Sequence, residues 1–288
     1  MLTHGYYPTD DGHQIYWERC GTPGGEPIFF LHGGPGSSTQ RHHLEFFDPQ
    51  RFDIVFFDQR GCGRSFPHGE RERNDTGHCV EDIECLRQHL GFERISLLGV
   101  SWGTWLAIQY QQRYPQAVLK TTLASLFVPF AQNVSAYDAN LSNALGAIHH
   151  ATCASTAAAI YQVLNHGCAL QQRHAALHWI RASLYLSGQS MSPRALASFV
   201  DEEAVRAIRV ELHYHLNDYF FTRANEVLCV DANTLVIQGT RDELGMASVR
   251  WLRRRHPLQF RLFDAGHDAF EPSILKAVRQ ALKRESVG

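Results

Sequence analysis

The sequence predicts an α/β fold: a mostly parallel central sheet covered by helices on both faces, with a helical segment inserted into it. Three observations carry this. Continuous apolar runs, such as PIFFL (27–31), FDIVFF (52–57) and ISLLGV (95–100), read as strands buried on both faces. Segments of helical period alternate with them. The composition then changes over residues 127–230, where Ala, Leu, His and Gln dominate and few strand-like stretches occur, and the earlier style returns after 230. The expected organisation is a core in two parts, 1–126 and 231–288, with a helical cap at 127–230.

Each element has its own signal. QIYWERCG (14–21) alternates as a half-exposed strand does. The strand at 27–31 runs into the loop HGGPG, and the strand at 52–57 runs into DQRGCGRS. EDIECLRQHLGFE (81–93) places Ile83, Leu86 and Leu90 at helical spacing, with Gly91 as a stop. RISLLGVS (94–101) is a buried strand, WLAIQYQQRYP (105–115) a helix ending before Pro115, and AVLKTTLAS (117–125) a further strand. SNALGAIHHATCASTAAAIYQVL (142–164) is helical in pattern, and Ser192-Pro193 reads as an N-cap followed by proline at the first helical position. NTLVIQGTRDE (233–243) and LQFRLFDAGHD (258–268) are strands ending in loops that carry an acid or a histidine, and SILKAVRQALKRE (273–285) closes the chain as a helix.

Bulk composition bounds the function. Of 288 residues, 44% are hydrophobic, enough for a large core, and the formal charge is −2. A near-neutral chain without basic runs argues against nucleic acid or an anionic membrane surface as partner. The N-terminal stretch lacks a basic region followed by an apolar one, which argues against a secretory signal. No run of about 18 apolar residues suggests a membrane span. The seven cysteines form no CxxC pair and read as reduced thiols, so a cytoplasmic location is expected. The seventeen histidines are scattered and include no HExxH, so neither metal nor cofactor is expected.

Chemistry concentrates at the strand ends. Gly99-Val100-Ser101-Trp102-Gly103 places a serine between two small residues where a buried strand becomes a helix. That is the nucleophile elbow, in which a strained turn exposes the hydroxyl and the flanking positions must be small. A nucleophilic serine needs a histidine base, and the base needs an acid to hold its tautomer. Asp242 and His267 follow predicted strands in the order this arrangement requires, and they lie where an open α/β sheet keeps its ligand site. Asp264 and Asp268 are nearer His267 in sequence, but neither ends the right strand. The developing oxyanion needs two donors. The N–H of Trp102 and that of Gly34, in the loop after 27–31, are the candidates.

These motifs resemble the proline iminopeptidases (prolyl aminopeptidases) of the α/β-hydrolase fold. The resemblance rests on HGGPG (32–36), FDQRGCGRSFPH (57–68), NDT (74–76) with VEDIECLRQHLG (80–91), GVSWGTWLAIQYQQRYP (99–115), RVELHYH (209–215), QGTRDE (238–243) and AGHDAFEP (265–272). It implies a triad of Ser101, Asp242 and His267. It also implies that Glu211, similar in placement to a glutamate in the family's RIExHYF, binds the substrate's free α-amine. Two departures stand out. The family's second cap glutamate, in a WxxWE segment, has no counterpart in LHWIRASLYLSG (177–188), and its NTT reads NDT.

The expected function is a serine hydrolase that releases N-terminal proline from a small peptide or amide through an acyl-enzyme, as a monomer or small homo-oligomer. The alternative is a hydrolase of the same fold whose repurposed cap takes another amide, an ester or a lactone. A non-catalytic ligand sensor is a third reading, disfavoured because all three triad members are present. Epoxide hydrolysis and dehalogenation use an aspartate at the elbow, where this chain has Ser101.

Overall fold

The computed structural model describes residues 2–147, 156–186, 191–222, 230–231 and 233–283. The middle of the helical stretch expected at 142–164, the last residues of the closing helix, Cys153 and Cys229 lie outside the described residues. Eight strands form one sheet: β1 (Thr3–Pro8), β2 (Gln14–Gly21), β3 (Glu26–Leu31), β4 (Phe52–Phe57), β5 (Ile95–Val100), β6 (Val118–Ala124), β7 (Leu235–Gly239) and β8 (Gln259–Phe263). Their order is β1-β2-β4-β3-β5-β6-β7-β8. β2 pairs antiparallel with β1 and β4, and every later neighbour pair is parallel. β1 has no apolar run to announce it; its residues are exposed or half-buried, as suits an edge strand.

The inner strands are apolar on both faces because both faces are covered. Phe29, Leu31, Val55, Phe57 and Leu97 belong to one hydrophobic cluster, while Ile28, Phe30, Ile54, Phe56 and Leu98 belong to another. The period-2 alternation of a strand sends neighbours to opposite faces. The first cluster is closed by α1 (Thr76–His89) and α2 (Trp102–Arg113). α1 starts earlier than the apolar spacing predicts, because Asp75 caps it by accepting the His78 N–H at 3.0 Å.

Between β6 and β7 the described chain passes through α3 (Ala131–Ala147), α4 (Ala157–His166), α5 (Ala169–Leu186), α6 (Pro193–Phe199) and α7 (Glu202–His215). α6 begins with Ser192 as N-cap and Pro193 in its first turn. These helices gather a third cluster of their own around Trp179, with Leu145, Ile160, Leu164, Leu196, Ile208 and Leu212. α8 (Glu243–Arg253) then joins the first cluster, and α9 (Pro272–Lys283) covers the second beside the short turn Arg41–Phe46. No helix among the described residues is long and apolar enough to cross a membrane.

Candidate active site

Ser101 sits between β5 and α2 at φ 53°, ψ −122°. A side chain in this region of backbone space costs about 1–3 kcal/mol and persists only where the surroundings hold it. Here the Ser101 N–H donates to the Ala124 carbonyl at 3.1 Å, and the Ser101 carbonyl accepts from the Thr104 N–H at 2.8 Å. The two elbow glycines are needed for closeness rather than for φ. A Cβ on Gly99 would lie 2.4 Å from the Gly103 carbonyl oxygen, and one on Gly103 would lie 2.0 Å from that of Leu31. Strand, elbow and helix therefore touch backbone to backbone.

His267 follows β8, and its Nε2 lies 2.9 Å from Ser101 Oγ. Its Nδ1 lies 2.6 Å from Asp242 Oδ2. Asp242 follows β7 and caps α8: its Oδ1 accepts the Gly245 N–H at 3.0 Å, and its Oδ2 also accepts Gln238 Nε2 at 2.8 Å. Gln238 is held in that orientation because its own Oε1 accepts the Leu126 N–H at 2.6 Å. Burial alone would raise the Asp242 carboxyl, but the His267 hydrogen bond and charge, with the Gly245 and Gln238 donors, hold it below its ordinary value. Burial alone would lower the His267 ring, and Asp242 outweighs it, so the ring titrates above its ordinary value. Asp264 pairs instead with Arg241, and Asp268 accepts the Phe270 N–H at 2.9 Å.

The loop after β3 crosses directly over the serine. A Cβ on Gly33 would lie 3.3 Å from Ser101 Cβ. Gly34 follows at φ +120°, a conformation that disfavours any side chain. The far end of the loop is tied down by the segment after β4. Asp58 is fully buried; its Oδ1 accepts the Thr39 N–H and hydroxyl, at 2.8 and 2.6 Å, and its Oδ2 accepts the Arg64 N–H and Nε, at 2.9 and 2.8 Å. Cys62, buried in the same segment with its thiol pushed well up by burial, carries no exposed reactive sulfur.

α7 comes down onto this loop. A Cβ on Gly36 would lie 2.1 Å from the Ala207 carbonyl oxygen and 3.2 Å from the Glu211 nitrogen. NDT (74–76) is the second anchor of α7. Asn74 Oδ1 accepts the Tyr214 hydroxyl at 2.8 Å, and the Asn74 carbonyl lies 2.8 Å from His213 Nε2. Thr76 donates to the Tyr219 carbonyl at 2.7 Å. That bond helps hold three successive residues, Asp218, Tyr219 and Phe220, at φ between 50 and 55°. Tyr219 and the α7 residue Tyr214 both pack on Trp102, with ring centroids 5.7 and 5.1 Å away, so the residue after the serine meets this end of the inserted segment through its indole.

Glu211 projects from α7 close to Trp179, Tyr137 and Tyr219. Burial raises its carboxyl from 4.5 to about 7; the Trp179 indole opposes the shift without making a full hydrogen bond. Beside it His215 Nε2 lies 2.6 Å from Asp138 Oδ1, so the nearby basic group already has its own acid. Glu211 holds its proton more tightly in the folded chain than in the unfolded one. Its ionisation therefore removes stability as pH rises from the unfolded value through about 7. Glu211→Gln removes that loss, and its side chain is only half-buried, so we expect a gain of about 1–3 kcal/mol at pH 8 and almost none at pH 4.5. Thermal or urea melts at the two pH values check this; equal effects at both would refute it.

The sequence placed Ser101, Asp242 and His267 at three separate strand ends, and the structure brings their side chains into one line. Gly34 lies in the loop crossing the serine, Trp102 opens α2, and Glu211 lies on the helix against that loop. Sequence reasoning missed Gln238, Thr39 and the Asn74–Tyr214 contact. A surface crevice of about 640 Å³, lined by residues such as Phe47, Phe270 and Arg279, shares no lining residue with this site. Among the described residues no group of three or more His, Cys, Asp or Glu side chains gathers as a metal site.

A family model described as the alpha/beta hydrolase fold matches residues 26–273. A probable proline iminopeptidase of Leptolyngbya boryana is 32% identical, over 97% of this chain and 93% of its own. The chain belongs to the proline iminopeptidase family of α/β-hydrolases. The proline iminopeptidase of Neisseria gonorrhoeae is also 32% identical, over 97% of this chain and 94% of its own. Among solved structures, a proline iminopeptidase-related protein of Thermus thermophilus superposes with a TM-score of 0.66 at 24% identity, over 98% of this chain and 97% of that one. An esterase of Exiguobacterium antarcticum gives 0.65 at 17% identity, over 97% and 98% of the two chains. At those identities the superpositions speak for the fold, and the sequence relatives carry the family membership.

Proposed function

We propose that the protein is a serine hydrolase that releases an N-terminal residue, proline above all, from small peptides and amides. The observation that carries this is the line Ser101 Oγ, His267, Asp242, with contacts of 2.9 and 2.6 Å. In this reading His267 Nε2 takes the Ser101 proton as Oγ attacks the carbonyl carbon. Asp242 keeps the proton on Nδ1 and stabilises the imidazolium. Neither the Gly34 nor the Trp102 N–H donates to a protein acceptor among the described residues, which leaves both for the oxyanion. Collapse expels the amine with a proton from His267, and water, activated by the same ring, then frees the acyl group.

Residues 127–230 act in this reading as the cap that selects the substrate. Glu211 is the acceptor for a free α-amine, because a half-buried carboxylate favours a cationic amine over a blocked neutral one. The proline selectivity of the named relatives supports assigning the same end group here. One observation favours a hydrolase with another substrate: α5 brings Trp179 close to Glu211, and residues 177–186 of that helix carry no carboxylate.

Steady-state hydrolysis of proline β-naphthylamide, its N-acetylated form and p-nitrophenyl acetate separates the readings, with Ser101→Ala as control. We expect fast turnover of the free-amine substrate, at least about 100-fold slower turnover of the blocked one, and loss of both in Ser101→Ala. Ester turnover without amide turnover would assign the cap to another substrate. For the free-amine substrate, kcat/KM should rise with pH through two ionisations, those of His267 and Glu211. In Glu211→Gln the rise should keep only one.

A further inference from the structure

We propose that His32 and Gln59 are positioning residues, which aim the main-chain N–H of Gly34 at the reacting carbonyl and lock it to Trp102. The proposal rests on the serine-hydrolase reading above. The Gln59 N–H donates to His32 Nε2 at 3.0 Å. That nitrogen is therefore the acceptor, and the neutral ring carries its proton on Nδ1. Nδ1–H then donates to the Gly33 carbonyl at 2.8 Å. The Gly33–Gly34 peptide is trans. In a trans peptide the C=O and the following N–H point in opposite directions. Holding the Gly33 carbonyl on the His32 side thus turns the Gly34 N–H to the other side, in a loop whose Gly33 already lies against Ser101.

The second half of the device is the Gln59 side chain. Its Nε2 donates to the His32 carbonyl at 2.9 Å, and its Oε1 accepts Trp102 Nε1 at 3.0 Å. One amide therefore grips the main chain that leads into one oxyanion donor and the indole of the residue that supplies the other. His32, Gln59 and Trp102 are all buried, and burial keeps the His32 ring neutral. A closed hydrogen-bond chain in such a setting is stiff. Two adjacent glycines without it could rotate their shared peptide, and the N–H would swing away from the serine. Neither His32 nor Gln59 touches the serine or needs to touch substrate. Their effect is orientation, which matters because oxyanion stabilisation depends on donors already in place when charge develops.

The test compares Gln59→Met, His32→Phe and His32→Asn, the last placing an amide nitrogen where Nδ1 stands. Each is assayed for kcat and KM, and for inhibition by two probes: an amino-acid aldehyde that adds Ser101 Oγ, and the corresponding free amino acid. We expect Gln59→Met and His32→Phe to lose about 10- to 100-fold in kcat with KM little changed, and the aldehyde to weaken by a similar factor. The free amino acid should bind as before, and His32→Asn should recover much of the loss. A merely structural role would move both inhibitors together, and that result, or folded variants with unaltered kcat, overturns the proposal. Should the variants fail to fold, ¹⁵N NMR of the unaltered chain decides: His32 must be protonated at Nδ1, and an Nε2–H tautomer overturns the proposal. Full activity in Ser101→Ala would reject the underlying hydrolase reading instead, so the two failures are distinguishable.

Discussion

Asp242→Asn is expected to lower kcat by about 10³- to 10⁴-fold while the protein still folds. The carboxylate of Asp242 meets only donors: Gly245 N–H on Oδ1, and Gln238 Nε2 and His267 Nδ1 on Oδ2. An asparagine amide has one oxygen and one NH₂ group to offer these three. If the NH₂ takes the place of Oδ2, it opposes the Gln238 donor and drives His267 to carry its proton on Nε2. That tautomer has no lone pair for the Ser101 proton. If the NH₂ takes the place of Oδ1, it opposes the Gly245 N–H and uncaps α8, at a cost of about 1 kcal/mol. In both arrangements the imidazolium loses its negative partner. Steady-state kinetics with a thermal melt separate the two arrangements. A kcat within tenfold of the native value would show that Asp242 is not the acid of the site.

Gly103→Ala should be severely damaging for a change of one methyl group. Its Cβ would stand 2.0 Å from the Leu31 carbonyl oxygen and 2.9 Å from that of His32. Both are backbone atoms at the end of a central strand, so they cannot turn aside as a side chain could. Overpacking of this kind costs about 3 kcal/mol or more, a large part of a typical total stability of about 5–15 kcal/mol. The matched control is Gly91→Ala. Gly91 has φ +75° and nothing within 4 Å of a new Cβ, so only the backbone conformation opposes the change, at about 1 kcal/mol. Melting temperature, soluble yield and labelling by a fluorophosphonate should all fall steeply in the first variant and little in the second. Equal melting temperatures would contradict the packing account.

Much of this site was legible in the sequence because its chemistry is written as short local patterns. The serine, the histidine and the glycine loop each occupy a strand end, and strand ends are announced by apolar runs that stop abruptly. What the apolar pattern could not show lies either outside that pattern or with partners distant in the chain. β1 escaped notice because an exposed edge strand needs no apolar run. The early start of α1 turned on a cap, Asp75, which lies outside the apolar period. The aim of the Gln238 amide depends on the Leu126 N–H, far away in sequence. For Glu211, the family resemblance supplied a candidate amine acceptor but not the burial that moves its titration to about 7.

The contact of Gly36 with Ala207 and Glu211 bears on how such a scaffold can diversify. The helical insertion is not a uniform module. α7 shares backbone contact with the loop that crosses Ser101, whereas α4 to α6 pack chiefly on other inserted helices. A chimaera that exchanges α4 to α6 and retains Glu202–His215 with Gly36 keeps the seam intact. One whose junction falls within α7 joins two backbones that were never fitted to each other. Recombination, natural or engineered, should therefore find its tolerated crossover points before residue 202, and new substrate ranges should arise from that outer half while the serine's surroundings stay fixed.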